Sequence, residues 1–257
     1  MSPDRIVLSQ EMLATAVGDR WTEAELSEAV ALLTRADGRF PAGVRTLPPD
    51  LIKAIQRERI LAAMQQTVNE LGYRALTVQD VLGRAGVSRP TFYEQFEDKE
   101  DCFLAAFDTS AERLCERLET AIGEEDEGWR LWLRRGLEAL LRFIAEEPHA
   151  ARTVIVEARA SSPAGLRQRD DLLDRFAARI DAEARKELTD PPSAIAAAGV
   201  VGGIESVLYA RLQREEADEL ESLLPSLMYF AVLPYEGHEV AAEELDGAAL
   251  ASRGSQS

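Results

Sequence analysis

The sequence predicts an all-α chain. No segment sustains the apolar–polar alternation of a strand, and apolar residues instead recur at three- and four-residue spacing in about ten segments. The punctuation agrees: Ser, Thr and Asp stand where helices would start, and Gly or Pro where they would stop. At 257 residues there is enough chain for one or two domains with their own cores.

Residues 1–50 read as a helical extension. Ser9 caps a short helix to Val17, and Thr22 with Glu25 forms a capping box for a helix to Arg35. Gly38, Pro41, Gly43, Pro48 and Pro49 then mark a loop. The first long helix runs from Pro49 or Asp50 to Leu71 and is ended by Gly72. Thr77 with Asp80 forms a capping box for the next helix, whose Val78, Val81, Leu82 and Ala85 share one face. Gly86 takes the sharp turn. Ser88 caps a rod of three turns, with Pro90 in its first turn, where a missing N–H costs nothing. Phe92 and Phe96 anchor that rod, leaving Arg89, Pro90, Thr91, Tyr93, Glu94 and Gln95 facing outward.

Asp98, with Asp101, caps a long helix to about Ala121. After the acidic break at 123–128 comes a helix bearing Trp129, Trp132, Leu133, Leu137, Leu140, Leu141 and Ile144. Another helix runs from Pro148 to about Ala160, and a charged amphipathic one spans about 164–188. Two final helices cover about 193–213 and 215–233, closed by Pro234. The tail, 237–257, is rich in Ala, Glu, Gly and Ser and reads as disordered.

Two short helices around a glycine turn, with polar groups gathered at the start of the second, are shaped to enter a DNA major groove. The net charge of −17 argues the other way when read globally. Locally, residues 53–93 hold Lys53, Arg57, Arg59, Arg74, Arg84 and Arg89 against Glu58, Glu70 and Asp80. Screening within about 8 Å at physiological salt makes this local patch matter more than the total.

Residues 57–108 resemble the DNA-binding domain of TetR-family transcriptional repressors. RERILAA opens the first helix, and ELGY, LTVQDVLGRAGVS, PTFYEQF and DKEDCFLAAF follow in the family's order. The extension at 1–50 is unusually long for this family; the resemblance implies a three-helix helix-turn-helix domain at 51–98 and a helical ligand-binding and dimerisation domain at 99–236. It implies a homodimer through residues 193–233 on a palindromic operator. AIAAAGVVGGIESVL would supply close helix approach there, although a buried monomer core fits the same residues.

By the same resemblance, Thr91, Tyr93 and Lys99 contact phosphates, and Thr77 adds a hydroxyl and helix N-terminal amides. Ser88 caps the reading helix. Arg89 is the base reader, because a guanidinium bridges guanine O6 and N7. Pro90 meets a thymine methyl, and Gln79 reaches a base edge or a phosphate. Glu94 and Gln95 stand where relatives carry varied residues, and Glu94 either accepts from a cytosine amine or points away.

The resemblance further implies a small-molecule effector. Trp129, Trp132, Leu133, Leu137, Leu141, Val154, Ile155 and Val156 offer an apolar wall, with Arg159, Glu157, Glu205 and Tyr209 as orienting groups. Plain core packing accounts for the same stripes. A TetR-like fold turned to protein interaction, without a ligand, is the alternative.

Catalysis is not expected. His149 and His238 are the only histidines, and there is no phosphate loop, metal-spaced cluster or serine-centred nucleophile motif. No cofactor or metal is expected. Cys102 and Cys115 fall on roughly opposite sides of one helix and read as packing residues of a reducing compartment. The start, MSPDRIVLSQ, has no apolar signal core, and the most apolar stretch, Ala194 to Ile204, is shorter than the roughly 20 residues a span requires. A cytoplasmic protein without a membrane partner is therefore expected.

Overall fold

The structure, a computed structural model, describes residues 49–123, 128–214 and 217–254. The helices expected within 1–48 lie outside the described residues. The described chain is all-α, without strands. It comprises α1 (Pro49–Leu71), α2 (Val78–Ala85), α3 (Arg89–Tyr93), α4 (Lys99–Ile122), α5 (Trp129–Glu146), α6 (Pro148–Arg152), a π-helical turn (Thr153–Glu157) and α7 (Ala158–Ala160). Then come α8 (Pro163–Glu187), α9 (Ala194–Gln213), a 3₁₀ segment (Ala217–Leu223) and α10 (Leu224–Gly254).

Two compact units divide between Ala106 and Phe107, inside α4. In the first, Ile60, Met64, Val68, Leu76, Val81, Phe92 and Phe103 form a nearly water-free core. Cys102, Phe103 and Ala106 belong to this core, so the first unit extends past the boundary expected at residue 98. Gly72 ends α1 at φ 74°, its N–H donating to Val68 O at 2.8 Å.

Thr77 and Asp80 complete both halves of the capping box, and Gly86 closes α2 at φ 64°. Ser88 caps α3, but α3 is five residues rather than a three-turn rod. Its end tightens because the N–H of Gln95 turns to Phe92 O at 2.9 Å, while Phe96 is drawn into the core. Asp98 caps α4, accepting from the Asp101 N–H at 2.9 Å.

The second unit packs the later helices around Leu133, Leu137, Phe143, Ile144, Ile204, Leu208, Met228 and Val232. Three features depart from expectation. The helix begun by Pro148 carries the π-helical turn at Thr153–Glu157, which buries all five of its residues. The α9 helix forms where expected, but its apolar character runs past Ile204 over all 20 residues, long and apolar enough to cross a membrane by length and composition. Its Ala197, Val200, Ile204, Leu208 and Leu212 are buried in the unit's core, which is the behaviour of a core helix.

The third departure is the tail. The chain continues helically past Pro234 and a break at Gly237 (φ 79°) instead of becoming disordered there. Ala241 is fully buried, and the buried Glu244 accepts from Arg130 Nη2 at 2.8 Å and also pairs with Arg134. Composition alone misses this, because the anchoring partners lie on α5.

Candidate DNA interface and ligand cavity

The start of α3 is built by local capping. Ser88 Oγ accepts from the Thr91 N–H at 3.2 Å and shares a hydrogen bond with Thr91 Oγ1 at 2.8 Å. This holds Arg89 and Pro90 outward, both exposed. Tyr93, one turn on, is 48% exposed with its ring set edge-on to buried Phe92, 5.3 Å between centroids. Arg89 Nη2 donates to Gln79 Oε1 at 3.4 Å, bringing the two helices' outward polar groups together. Glu94 is exposed beside them. Gln79, Ser88, Arg89, Pro90, Thr91, Tyr93 and Glu94 thus share one surface neighbourhood.

Three expected DNA-contacting residues are engaged elsewhere. Gln95 Nε2 donates to Lys53 O at 2.9 Å, tying α3 to α1. Lys99 Nζ donates to Tyr73 O at 3.0 Å and Leu76 O at 3.1 Å. Thr77 Oγ1 donates to Asp80 Oδ2 at 2.7 Å, so its hydroxyl proton serves the cap. Sequence spacing places these residues on the right elements but cannot show that neighbouring carbonyls claim their donors. Arg84 is likewise drawn off, its guanidinium bidentate on Glu70 with one arm at 2.7 Å.

Within the second unit lies a cavity of about 320 Å³. Trp132, Leu133, Leu137, Val154 and Ile155 line it as expected. Trp129 does not: its ring packs on Tyr235, 5.0 Å between centroids, and its main-chain N–H donates to Glu187 Oε1 at 2.6 Å. Arg159 also stands behind the wall, over the Tyr209 ring at 4.3 Å, and reaches the cavity only through Glu205. Leu141 and Val156 are buried in the surrounding core.

The cavity's α8 wall was not foreseen. Leu172, Leu173, Phe176 and Ile180 line it together with Arg169, Arg175 and Arg179. Their i, i+1, i+4, i+8 spacing is the sequence signal, obscured by the helix's heavy charge. Cys115 lines the cavity too, and burial pushes its thiol up despite Arg175 beside it. Cys102 is fully buried, and burial raises its thiol still further.

An exposed, capped helix start carrying Arg, Thr and Tyr, set beside a second helix, defines a DNA-binding regulator of the helix-turn-helix class. Residues 60–106 match the family model for bacterial regulatory proteins of the tetR family. The chain thus carries a tetR-type DNA-binding domain at residues 60–106, and the curated relatives it resembles are transcriptional regulators.

The chain is 27% identical over 197 residues to the HTH-type transcriptional regulator EthR of Mycolicibacterium smegmatis, covering 76% of this chain and 89% of EthR. It is 26% identical over 129 residues to the transcriptional activator FasR of the same organism, covering 50% of this chain and 58% of FasR. Among solved structures, FadR of Bacillus subtilis in complex with stearoyl-CoA matches with a TM-score of 0.60 at 21% identity, over 68% of this chain and 96% of that one.

Proposed function

We propose that the protein is a repressor that holds a palindromic operator as a homodimer and releases it when a small apolar or amphipathic molecule enters the second unit. The cavity carries this reading. Tightly packed interiors keep few voids larger than a water molecule, and about 320 Å³ walled mostly by Leu, Ile, Val, Phe and Trp is instead the size of a ligand site.

On the DNA side, Arg89 reads a base, with Gln79, Pro90 and Glu94 beside it. Thr91, Tyr93 and the α2 N-terminus near Thr77 hold phosphates, and Ser88 keeps the helix start in place. Residues 193–233 form the dimer seam. Its support is an apolar face that the single chain leaves uncovered: Ile195 is 80% exposed, Val207 41% and Phe230 42%. Open space above Gly199 and Gly202 admits a second helix closely.

A reporter driven by the DNA upstream of this protein's own coding sequence tests the reading. Expression falls when the protein is supplied, and small apolar additives restore it. Leu137→Trp, which fills the cavity, keeps repression and loses the response. Equal expression with and without the protein overturns the repressor reading.

A further inference from the structure

At its buried polar end the cavity presents more donors than acceptors. Glu205, 7% exposed in its side chain, lines the cavity and faces two guanidiniums. Arg159 Nε donates to Glu205 Oε1 at 3.0 Å, and Arg169 donates to the same oxygen through Nε at 3.2 Å. Arg169 Nη2 lies 3.0 Å from that oxygen as well, and Arg159 Nη2 engages Oε2. The carboxylate's lone pairs are thus largely occupied from the protein side.

Arg169 is different. It lines the cavity with a side chain only 14% exposed. A guanidinium carries five N–H donors. Two nitrogens of Arg169 serve Glu205, and Nη1 donates to the exposed Asp170 at 2.6 Å. By that count two of its five N–H groups have no protein acceptor, on a side chain that shares the cavity lining with Leu172, Val201 and Ile204 as well as Arg175 and Arg179. A donor with no acceptor in an apolar setting is costly, and a charged one more so.

We infer that the cavity takes a single-chain acyl amphiphile whose carboxylate or carbonyl oxygen accepts from Arg169, with its hydrocarbon chain along Leu133, Leu137 and Ile155. This rests on the effector reading above and names the ligand's class. A cationic head is disfavoured because Arg169, Arg175 and Arg179 outnumber Glu119 and Glu205 in the lining, and a donor-only head finds Glu205 already engaged. At about 320 Å³ the space lies at the lower end of the roughly 300–1,000 Å³ range of ligand pockets, which favours one chain over a bulky polycycle. Free acids and acyl thioesters share the accepting oxygen.

Calorimetric titration of the full-length protein with four ten-carbon probes tests this: decanoate, the decanoyl thioester of N-acetylcysteamine, decanol and decylammonium. Decanoate or the thioester binds about tenfold or more tightly than decanol, the loss expected for one charge-assisted hydrogen bond, and decylammonium binds weakest. Whichever of the first two binds more tightly identifies the source. In Arg169→Gln that preference collapses while decanol binding persists, which also shows that the cavity is intact. If Arg169→Gln binds nothing, Arg169→Lys decides, and it retains the preference for the accepting head. Decanol matching decanoate in the native protein, or a preference that survives Arg169→Gln, overturns the inference and leaves the effector site standing. No binding of any probe to the native protein overturns the inference. Tight decanoate binding without any change in DNA affinity sustains it and instead removes the effector reading.

Discussion

Lys99 points its ammonium at the main-chain carbonyl of Tyr73, 3.0 Å away, and holds it 4.6 Å from the centroid of the Tyr73 ring. A second carbonyl, that of Leu76, accepts at 3.1 Å. The lysine therefore staples the α1–α2 loop to the start of α4 inside the DNA-binding unit. Lys99→Ala removes a charged donor from two carbonyls and lowers the stability of the DNA-free protein by about 1–3 kcal/mol. Thermal unfolding without DNA measures it. An unchanged midpoint, with weaker binding to every DNA sequence, assigns the residue to phosphate instead.

Arg89 stands exposed at the start of α3, steadied by Gln79 at 3.4 Å. Arg89→Ala costs about 1–3 kcal/mol on the cognate site and relaxes preference at one base pair. Gln79→Ala has a smaller effect in the same direction, because it frees the guanidinium without removing it. Fluorescence anisotropy against single-substituted operators separates these outcomes. Equal losses on cognate and mismatched DNA contradict base reading.

The Thr77 hydroxyl, followed by the Thr77 main-chain N–H, holds the Asp80 carboxyl below the usual carboxylate range. A lowered value means that the contribution of the box is complete above the ordinary Asp pKa, near about 3.9. It is lost as the pH falls through the lowered value. The Thr77 amide resonance should titrate with a midpoint below that ordinary value, and the titration should vanish in Asp80→Asn. A midpoint at or above it contradicts the capping geometry.

Glu244 is 5% exposed and bound by Arg130 and Arg134. Glu244→Ala leaves two guanidiniums facing a buried gap, and it destabilises the second unit by up to about 3 kcal/mol, the lower end of what breaking a buried pair costs. Truncation after Gly237 has at least the same effect, since Ala241 leaves the core as well. Chemical denaturation checks both. A truncated chain as stable as the full one would mean that the helix beyond Gly237 is not docked.

Much of the DNA-binding unit was legible because its determinants are local. Thr77 and Asp80, Gly86, Ser88 and Pro90 act within a few residues of themselves, and the structure forms each cap at the expected position. What escaped depends on distant partners. Gln95 and Lys99 turn inward because the carbonyls of Lys53, Tyr73 and Leu76 lie within reach, which no spacing along one helix reveals. The π-helical turn at Thr153–Glu157 occurs in a β-branched run that reads equally well as ordinary helix, and its five residues are all buried. The helix beyond Gly237 looked like a solvated tail until Glu244 met Arg130 and Arg134.

The dimer seam makes a further separable prediction. Ile195 is 80% exposed on a single chain and heads an apolar face. Ile195→Glu with Phe230→Glu shifts sedimentation toward the monomer and weakens operator binding sharply, while helix content stays constant. A double variant that still sediments as a dimer places the seam elsewhere.

Selection of full-length protein against a randomised DNA duplex library, run in parallel with an Arg89→Ala, Tyr93→Ala variant, most directly tests whether the α3 surface is the reader. The native protein should enrich an inverted repeat with half-sites about one helical turn, or a multiple of it, apart, and the variant should lose that enrichment. No enriched repeat, or the same repeat recovered by both proteins, would contradict it.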